Sequence, residues 1–338
     1  MGEENMKPVA VIDLFAGMGG FTVGAVNAGA TCIVAVDNWN ESCAVHRANH
    51  PTIPVTRMVL GHPDHWRFFK RMVDDYRSRG YHVHIHGSPP CQALSNASTR
   101  SPEEGMPLVL WYLDLVKRCE PDSWSMEHVV PVRKKLPEGV PSVVLNSADF
   151  GVPQTRRRCY AGEGWVAEPS HSKEEWVSVI DALPHLEGDL MDSGRASAAT
   201  TGINPATGKK EGGSGPLFRE LSDPSYTVMS SPRNIMLNTA GCSDSTGEAA
   251  VAKDRPIDQP SKIIRAHHVS LRDKTDPEKP VKIRSLTLPE TLVLQGFNPD
   301  YDLSAARTMK SRWTMVGNAV PPPVAEAVIR GIQIDAPN

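Results

Sequence analysis

The chain has 338 residues, 40% of them apolar and 22% charged, with a formal net charge of −3, values ordinary for a soluble globular protein large enough for two domains. No apolar run reaches the roughly 20 residues of a membrane span, and Met1–Lys7 lack a secretory pattern, so cytoplasm or nucleus is the expected compartment and no membrane partner is expected. The six cysteines form no C-x-x-C pair and no Cys/His cluster of zinc-ligand spacing, which predicts reduced thiols and no metal.

Val9–Phe15 is a short apolar run that meets Ala16-Gly17-Met18-Gly19-Gly20 and then a small-residue stretch ending near Gly29. The pattern predicts strand, glycine turn and helix. A second apolar run, Thr31–Val36, ends on Asp37, and a helix-like segment follows from Glu41 to about Asn49. A glycine turn after a first strand, with an acid after the second, is one way to hold an adenosine group. A plain tight turn explains the same residues equally well, and the full G-x-G-x-x-G pattern is absent.

Tyr81–His86 is a third strand-like run, and Gly87-Ser88-Pro89-Pro90-Cys91-Gln92 follows it. Two prolines fix φ and withhold two N–H groups, so the segment must leave the strand and present a side chain at its end. Cys91 there is either a buried structural cysteine or a nucleophile. Helical periodicity over Leu108–Cys119 and a fourth strand over Ser123–Val130 complete an alternation that predicts a doubly wound, parallel-majority α/β sheet.

Net charge says nothing for or against nucleic acid, so any such binding must come from local clusters such as Gln154-Thr155-Arg156-Arg157-Arg158. After about Gly162 the composition changes, with Gly, Ser, Ala, Thr and Pro common over Gly188–Pro216, which predicts a smaller, irregular domain. Within it, Leu221–Val228 and Ile257–Ile264 are alike in outline, too few copies for a solenoid. Val320–Ile332, behind Pro321-Pro322-Pro323, reads as a helix entered through proline.

Six segments in order resemble the DNA cytosine-5 methyltransferase family: Asp13–Gly20, Gly87–Gln92, Glu127-His128-Val129, Gln154–Arg158, Arg284-Ser285-Leu286-Thr287 through Glu290 to Gln295-Gly296-Phe297, and Gly317–Pro322. The resemblance covers about residues 9–162 and 284–332 and leaves the middle unmatched. It implies a Rossmann-like, S-adenosylmethionine-dependent fold. The catalytic domain is then expected over 1–162 and 305–338, and a target-recognition domain over 163–304. The implied substrate is double-stranded DNA, whose cytosine is methylated at carbon 5 through a cysteine adduct at carbon 6 after flipping out of the duplex.

By the same resemblance Cys91 is the nucleophile, Glu127 the carboxyl at N3, Arg158 the cation at O2, and Arg156 a neighbour of the thiolate or a phosphate. Asp13, Phe15, Ala16, Gly17, Met18, Gly19, Gly20, Asp37, Asn38, Trp39, Pro89, Asn318, Ala319 and Val320 are expected at S-adenosylmethionine, whose product is S-adenosylhomocysteine. Gln92, Ser95 and Gln154 are expected at the substrate, and Ser95–Gly105 as the loop that closes over it. Arg195, Lys209, Lys210, Arg219, Arg233, Lys253, Arg255, Lys262 and Arg265 are available in the middle for bases and phosphates.

Three departures stand out. His128 takes the place of the family's Asn, the region Arg57–Asp64 has no acid where one contacts adenine, with Asp64 in a shifted position, and Asn38 precedes Trp39 after the ribose-binding acid. A tRNA-directed enzyme and a catalytically silent DNA-binding regulator are the alternatives. A monomer is expected, with a restriction endonuclease of the same site as a candidate partner.

Overall fold

The computed structural model describes residues 7–90, 105–186, 189–192, 201–203, 210–212, 217–220, 224–226, 236–238 and 286–333. In chain order the first elements are β1 (Val9–Leu14), α1 (Gly20–Asn27), β2 (Thr31–Asp37), α2 (Asn40–Asn49), β3 (Val55–Arg57), α3 (His65–Ser78), β4 (His82–Gly87), α4 (Met106–Cys119) and β5 (Ser123–His128). Then come β6 (Ser142–Asn146), β7 (Gln154–Thr155), β8 (Arg157–Glu163) and α5 (Val179–Ala182). The predicted strand–turn–helix–strand opening is present, as are the helices near Glu41 and Leu108. The sequence reading passed over β3, α3, β6 and β8.

Seven strands form one sheet in the order β3-β2-β1-β4-β5-β8-β6. The strands β3, β2, β1, β4 and β5 run parallel, and β8 runs antiparallel to both β5 and β6. The sheet is therefore parallel in majority, with one reversed strand. Near-continuous burial along β1, β2 and β4 is the mark of strands covered on both faces.

One face packs Ile12, Leu14 and Ile85 against Phe69 and Val73 of α3 and Val109, Tyr112 and Leu115 of α4. The other packs Val11 against Phe21 and Ala25 of α1. That face is shared with a helix from the far end of the chain.

The middle contributes short strands: β9 (Asp189–Asp192), β10 (Thr201–Ile203), β11 (Lys210–Gly212), β12 (Leu217–Glu220), β13 (Ser225–Tyr226) and β14 (Met236–Asn238). β9 lies between β12 and β14, antiparallel to each, β10 pairs with β11, and β13 runs parallel to β7. The two look-alike segments of the middle lie largely outside the described residues.

The chain then returns through α6 (Leu288–Leu294), α7 (Met309–Asn318) and α8 (Pro322–Arg330). Thr287 caps α6 in a reciprocal arrangement with Glu290, and Pro322 opens α8 at its first turn as the sequence predicts. Leu286, Leu292, Leu294 and Phe297 pack with Met18, Val45, Leu186 and Met315 in one cluster.

α8 lies along α1 at glycine distance. A β-carbon on Gly20 would stand 2.2 Å from the Val320 carbonyl oxygen, and one on Gly24 2.3 Å from that of Pro322. Only glycine permits backbones this close.

Candidate active site

The carboxyl ends of β1, β2, β4 and β5 meet along one edge of the sheet, where ligands bind in folds of this topology. β1 ends in a turn with three left-handed residues, Phe15 (φ 57°), Gly17 (φ 57°) and Gly19 (φ 102°). For Phe15 that conformation costs about 1–2 kcal/mol, strain of the kind that gathers at binding sites. Its ring meets the Trp111 ring edge-on at 6.0 Å.

Asp37, at the end of β2, accepts the Gly17 N–H at 2.9 Å with one oxygen and the Trp39 N–H at 2.8 Å with the other. Burial raises its pKa, against the pull of these hydrogen bonds. The carboxylate thus ties the glycine turn to the start of α2. A β-carbon on Gly17 would meet nothing within 4 Å, whereas one on Gly19 would strike the His46 ring. The turn is open at Gly17 and closed at Gly19, as a surface that admits a ligand against backbone requires.

Asp13 is buried on β1 and accepts the Thr22 hydroxyl at 2.8 Å. Burial lifts its pKa to about 7. Ala16 and Met18 are buried in the turn, Trp39 is half-buried, Asn38 is exposed, and Asp64 is an exposed residue paired with Arg67 at the start of α3. No carboxylate from the Arg57–Asp64 segment enters the turn region: Arg57 itself donates to the Asn38 carbonyl.

β4 and β5 bring the second half of the site. Gly87 pairs with Met126, so the Ser88-Pro89-Pro90 turn leaves the sheet beside Glu127 and His128. Tyr112 packs so tightly under Gly87 that a β-carbon there would stand 2.3 Å from its ring. Glu127 faces Arg158 of β8, with Nε and Oε1 3.0 Å apart and both side chains largely buried. The contact is a close ion pair rather than an aligned hydrogen bond, because Glu127 Oε1 has no partner of hydrogen-bond geometry.

His128 points to the opposite face and is fully buried. Its ring nitrogens have no partner of hydrogen-bond geometry, although the Pro90 and Val129 backbone lies close enough to favour its charge. Desolvation wins and lowers its pKa to about 4. His128 is therefore neutral at pH 7.

Gln154 and Arg156 have partners of another kind. The Gln154 amide donates to the Leu294 carbonyl and to the Gln295 side-chain oxygen, each at 2.8 Å. Gln295 donates on to the Ala319 carbonyl at 2.7 Å, and Arg156 donates to the Gly317 carbonyl at 3.1 Å. These two buried side chains join the Gln154–Arg158 segment to the ends of α6 and α7. Asn318 is exposed at the end of α7, and Ala319 and Val320 are buried behind it.

Cys91, Gln92, Ser95 and the following loop to residue 104 lie outside the described residues, as do Arg195, Lys209, Arg233, Lys253, Arg255, Lys262 and Arg265 and the side chains of Lys210 and Arg219. Among the described residues no group of three or more His, Cys, Asp or Glu side chains is placed to hold a metal. No described helix is long and apolar enough to cross a membrane.

The family described as C-5 cytosine-specific DNA methylase matches this chain over residues 9–136 and 191–334. The chain belongs to that family. It is thus a DNA cytosine-5 methyltransferase, and the match takes in 191–283, a stretch the short motifs do not reach. The methylase is 27% identical to Type II methyltransferase M1.HphI of Haemophilus parahaemolyticus over 95% of this chain and 86% of that protein. It is 28% identical to Type II methyltransferase M.MthTI of Methanothermobacter thermautotrophicus, over 96% and 97%.

In fold the methylase is similar to the Schizosaccharomyces pombe (S. pombe) Dnmt2 methyltransferase, at a TM-score of 0.55 and 15% identity over 96% of this chain and 98% of that one. It is also similar to the Entamoeba histolytica methyltransferase EhMeth, at 0.53 and 16%, over 95% and 96%.

Sequence reasoning missed the buried Gln295 as the link between Gln154 and Ala319, and it missed the histidines of β4. The only signal for the latter was the alternation His82-Val83-His84-Ile85-His86, which reads first as a strand pattern.

Proposed function

We propose that this methyltransferase acts on duplex DNA by the covalent route, with Cys91 as nucleophile and the Glu127–Arg158 pair as the polar clamp on the flipped cytosine. The observation that carries the reading is the 3.0 Å contact of Glu127 with Arg158 at the end of β5, beside the Pro89-Pro90 turn. A carboxyl and a guanidinium side by side match the ring edge of cytosine, where N3 and O2 are neighbours.

Carbon 5 of cytosine is a poor nucleophile until a thiolate adds to carbon 6. The Cys91 sulfur forms that bond, and negative charge moves toward N3 and O2. Glu127 holds a proton at N3, and Arg158 lies against O2, so both meet charge where it develops. S-adenosylmethionine, when bound, supplies an electrophilic methyl group. Loss of the carbon 5 proton and of the Cys91 thiolate then restores the aromatic ring.

The open backbone at Gly17, the Asp37 carboxylate and the aromatic rings of Phe15 and Trp39 are the residues that would hold this donor. The proline turn at Pro89 would border it. Arg156 and Gln154 brace the site from behind, through Gly317 and Gln295.

The middle of the chain, expected over 163–304, is proposed to read a short DNA sequence. Residues 179–186 and 286–303 would form its base, where they pack against Met18 and Val45 of the catalytic domain. The Type II names of the relatives support a place in a restriction–modification pair, with an endonuclease of the same site as partner.

Duplex DNA carrying 5-fluorocytosine tests the mechanism, because fluorine at carbon 5 cannot leave as a proton does. A covalent complex that needs both S-adenosylmethionine and Cys91 is expected. Its absence on duplex DNA, or its formation on RNA alone, would overturn the reading. Conversion sequencing of treated DNA then gives the recognition sequence.

A further inference from the structure

The face of the sheet under α1 carries a chain of polar side chains that the methyl-transfer chemistry does not use. His82, His84 and His86 of β4 alternate with Ser123 and Ser125 of β5, since His84 pairs in register with Ser123 and His86 with Ser125. His82 Nε2 and His84 Nδ1 each lie 2.8 Å from the Ser123 hydroxyl. His84 Nε2 and His86 Nδ1 each lie 2.8 Å from the Ser125 hydroxyl. His86 Nε2 lies 2.9 Å from the Ser88 hydroxyl, in the turn that leads into Cys91.

All of these side chains except that of Ser88 are buried, and the His86 ring is stacked on Phe21 at 3.5 Å. The environment leaves His84 and His86 neutral, because burial lowers the pKa of each far below that of a free imidazole.

A neutral imidazole has one N–H and one bare nitrogen, and a serine hydroxyl gives one hydrogen and accepts others. With each hydroxyl bridging two ring nitrogens, every hydrogen bond is made only if all donors point the same way along the chain. A reversal anywhere leaves a buried hydrogen or lone pair without its partner, which is costly away from water. The row therefore has two fully bonded states, one with His84 and His86 both protonated on Nε2 and one with both on Nδ1. The state at His82 determines whether the Ser88 hydroxyl accepts from His86 or donates to it.

Ser88 also donates its backbone N–H to the Leu14 carbonyl at 3.1 Å, just before the glycine turn. Its hydroxyl and amide thus fasten the proline turn to β4 and β1 together. We propose that the row from His82 to Ser88 is a single polarised hydrogen-bond wire that orients the Ser88 hydroxyl and holds the Ser88–Pro90 turn in its catalytic position. His84, His86, Ser123 and Ser125 are then positioning residues for methyl transfer, acting through Ser88. This rests on the function proposed above for its rate consequence, and on the hydrogen-bond geometry alone for the wire.

The test uses the full chain labelled with ¹⁵N-histidine, since long-range ¹H–¹⁵N correlation separates Nδ1–H from Nε2–H tautomers. In the unaltered protein His84 and His86 share one tautomer, and Ser123→Ala shifts the ring nitrogens of His86, which Ser123 does not touch. Opposite tautomers at His84 and His86, or a His86 signal indifferent to Ser123→Ala, would overturn the wire. This arm needs no activity, so a chain inactive on DNA would defeat the function proposed above and leave the wire to be decided by its own spectrum.

In single-turnover methylation of duplex DNA, Ser123→Ala is expected to slow transfer by roughly five- to tenfold, the scale of one hydrogen bond, with KM for DNA within about twofold. Ser123→Thr, which keeps the hydroxyl, restores the rate. An unchanged rate in Ser123→Ala, or a Ser123→Thr protein as slow as it, refutes the positioning role. If Ser123→Ala fails to fold, Ser125→Ala cuts the wire at its middle and is read in the same way.

Discussion

Arg156 donates to the Gly317 carbonyl at 3.1 Å, while Arg158, two residues further on, turns its guanidinium to Glu127. Two arginines of one motif therefore do different work. Arg156→Ala should lower unfolding stability by about 2–3 kcal/mol, the scale of a buried hydrogen bond to a charged group. Arg158→Ala, which leaves the largely buried Glu127 without its partner, should destabilise as well, and it should abolish adduct formation with 5-fluorocytosine DNA. Urea denaturation and the trapping gel, run on both variants, check the division.

Glu127→Gln keeps the shape of the side chain and removes its ability to exchange a proton with N3. Methyl transfer should fall about 10²–10⁴-fold, the usual weight of a positioned acid or base, with DNA binding retained. Single-turnover rates and a DNA-binding titration measure the two quantities. A rate within tenfold of the parent would remove Glu127 from the chemistry.

Asp37→Ala removes the acceptor for the Gly17 and Trp39 amides. S-adenosylmethionine binding, measured by calorimetry, should weaken about tenfold or more, the equivalent of about 1.4 kcal/mol. An unchanged Kd would confine Asp37 to bracing the turn.

Stability should fall as pH drops below about 6.5, the value of a free imidazole. Burial lowers the pKa of His46 and His84 to about 3 and of His128 to about 4, and that of His86 well below the ordinary value. The unfolded chain takes up protons that these folded imidazoles refuse, so their contribution is complete above the unfolded value and is lost as pH falls toward the folded one. Asp13, raised to about 7, and Asp37, also raised by burial, work in the opposite sense, but they are two groups against these four imidazoles. Denaturation midpoints should decline from pH 7 to pH 5, with a smaller decline in a His84→Asn variant.

Gly24→Ala places a methyl group where the Pro322 carbonyl oxygen stands 2.3 Å away. Overpacking of this kind costs about 1–3 kcal/mol. Urea midpoints should record the loss, while Gly29→Ala, which meets no neighbour within 4 Å but must adopt φ +86°, tests backbone strain alone.

The alternation β1, glycine turn, α1, β2 was legible because buried parallel strands are continuous apolar runs and the turn needs its glycines. α3 was not read, although Trp66, Phe69, Val73 and Tyr76 recur at helical spacing, because Arg67, Lys70, Arg71, Asp74 and Asp75 break the apolar run between them. β8 was hidden for a related reason: Arg157-Arg158 at its start draws attention as charge, and its pairing with β5 and β6 is non-local. The roles proposed for Glu127 and Arg158 came from motif order, whereas the hold of Arg156 on Gly317 spans 161 positions that no local pattern encodes.

The intimacy of α1 with α8 also dictates an order of events during synthesis. Arg330 reaches the Asn27 carbonyl across 303 positions, so α1 leaves the ribosome long before its cover exists. Until α8 arrives, Phe21 and Ala25 lack part of the wall they share with Val324 and Val328, and closure of this layer carries the loop-closure delay of a distant contact. A rearranged gene that encodes α8 directly ahead of β1 would bring the two helices into neighbouring turns of the chain. Such a permuted protein should complete its first layer while the remainder is still being translated.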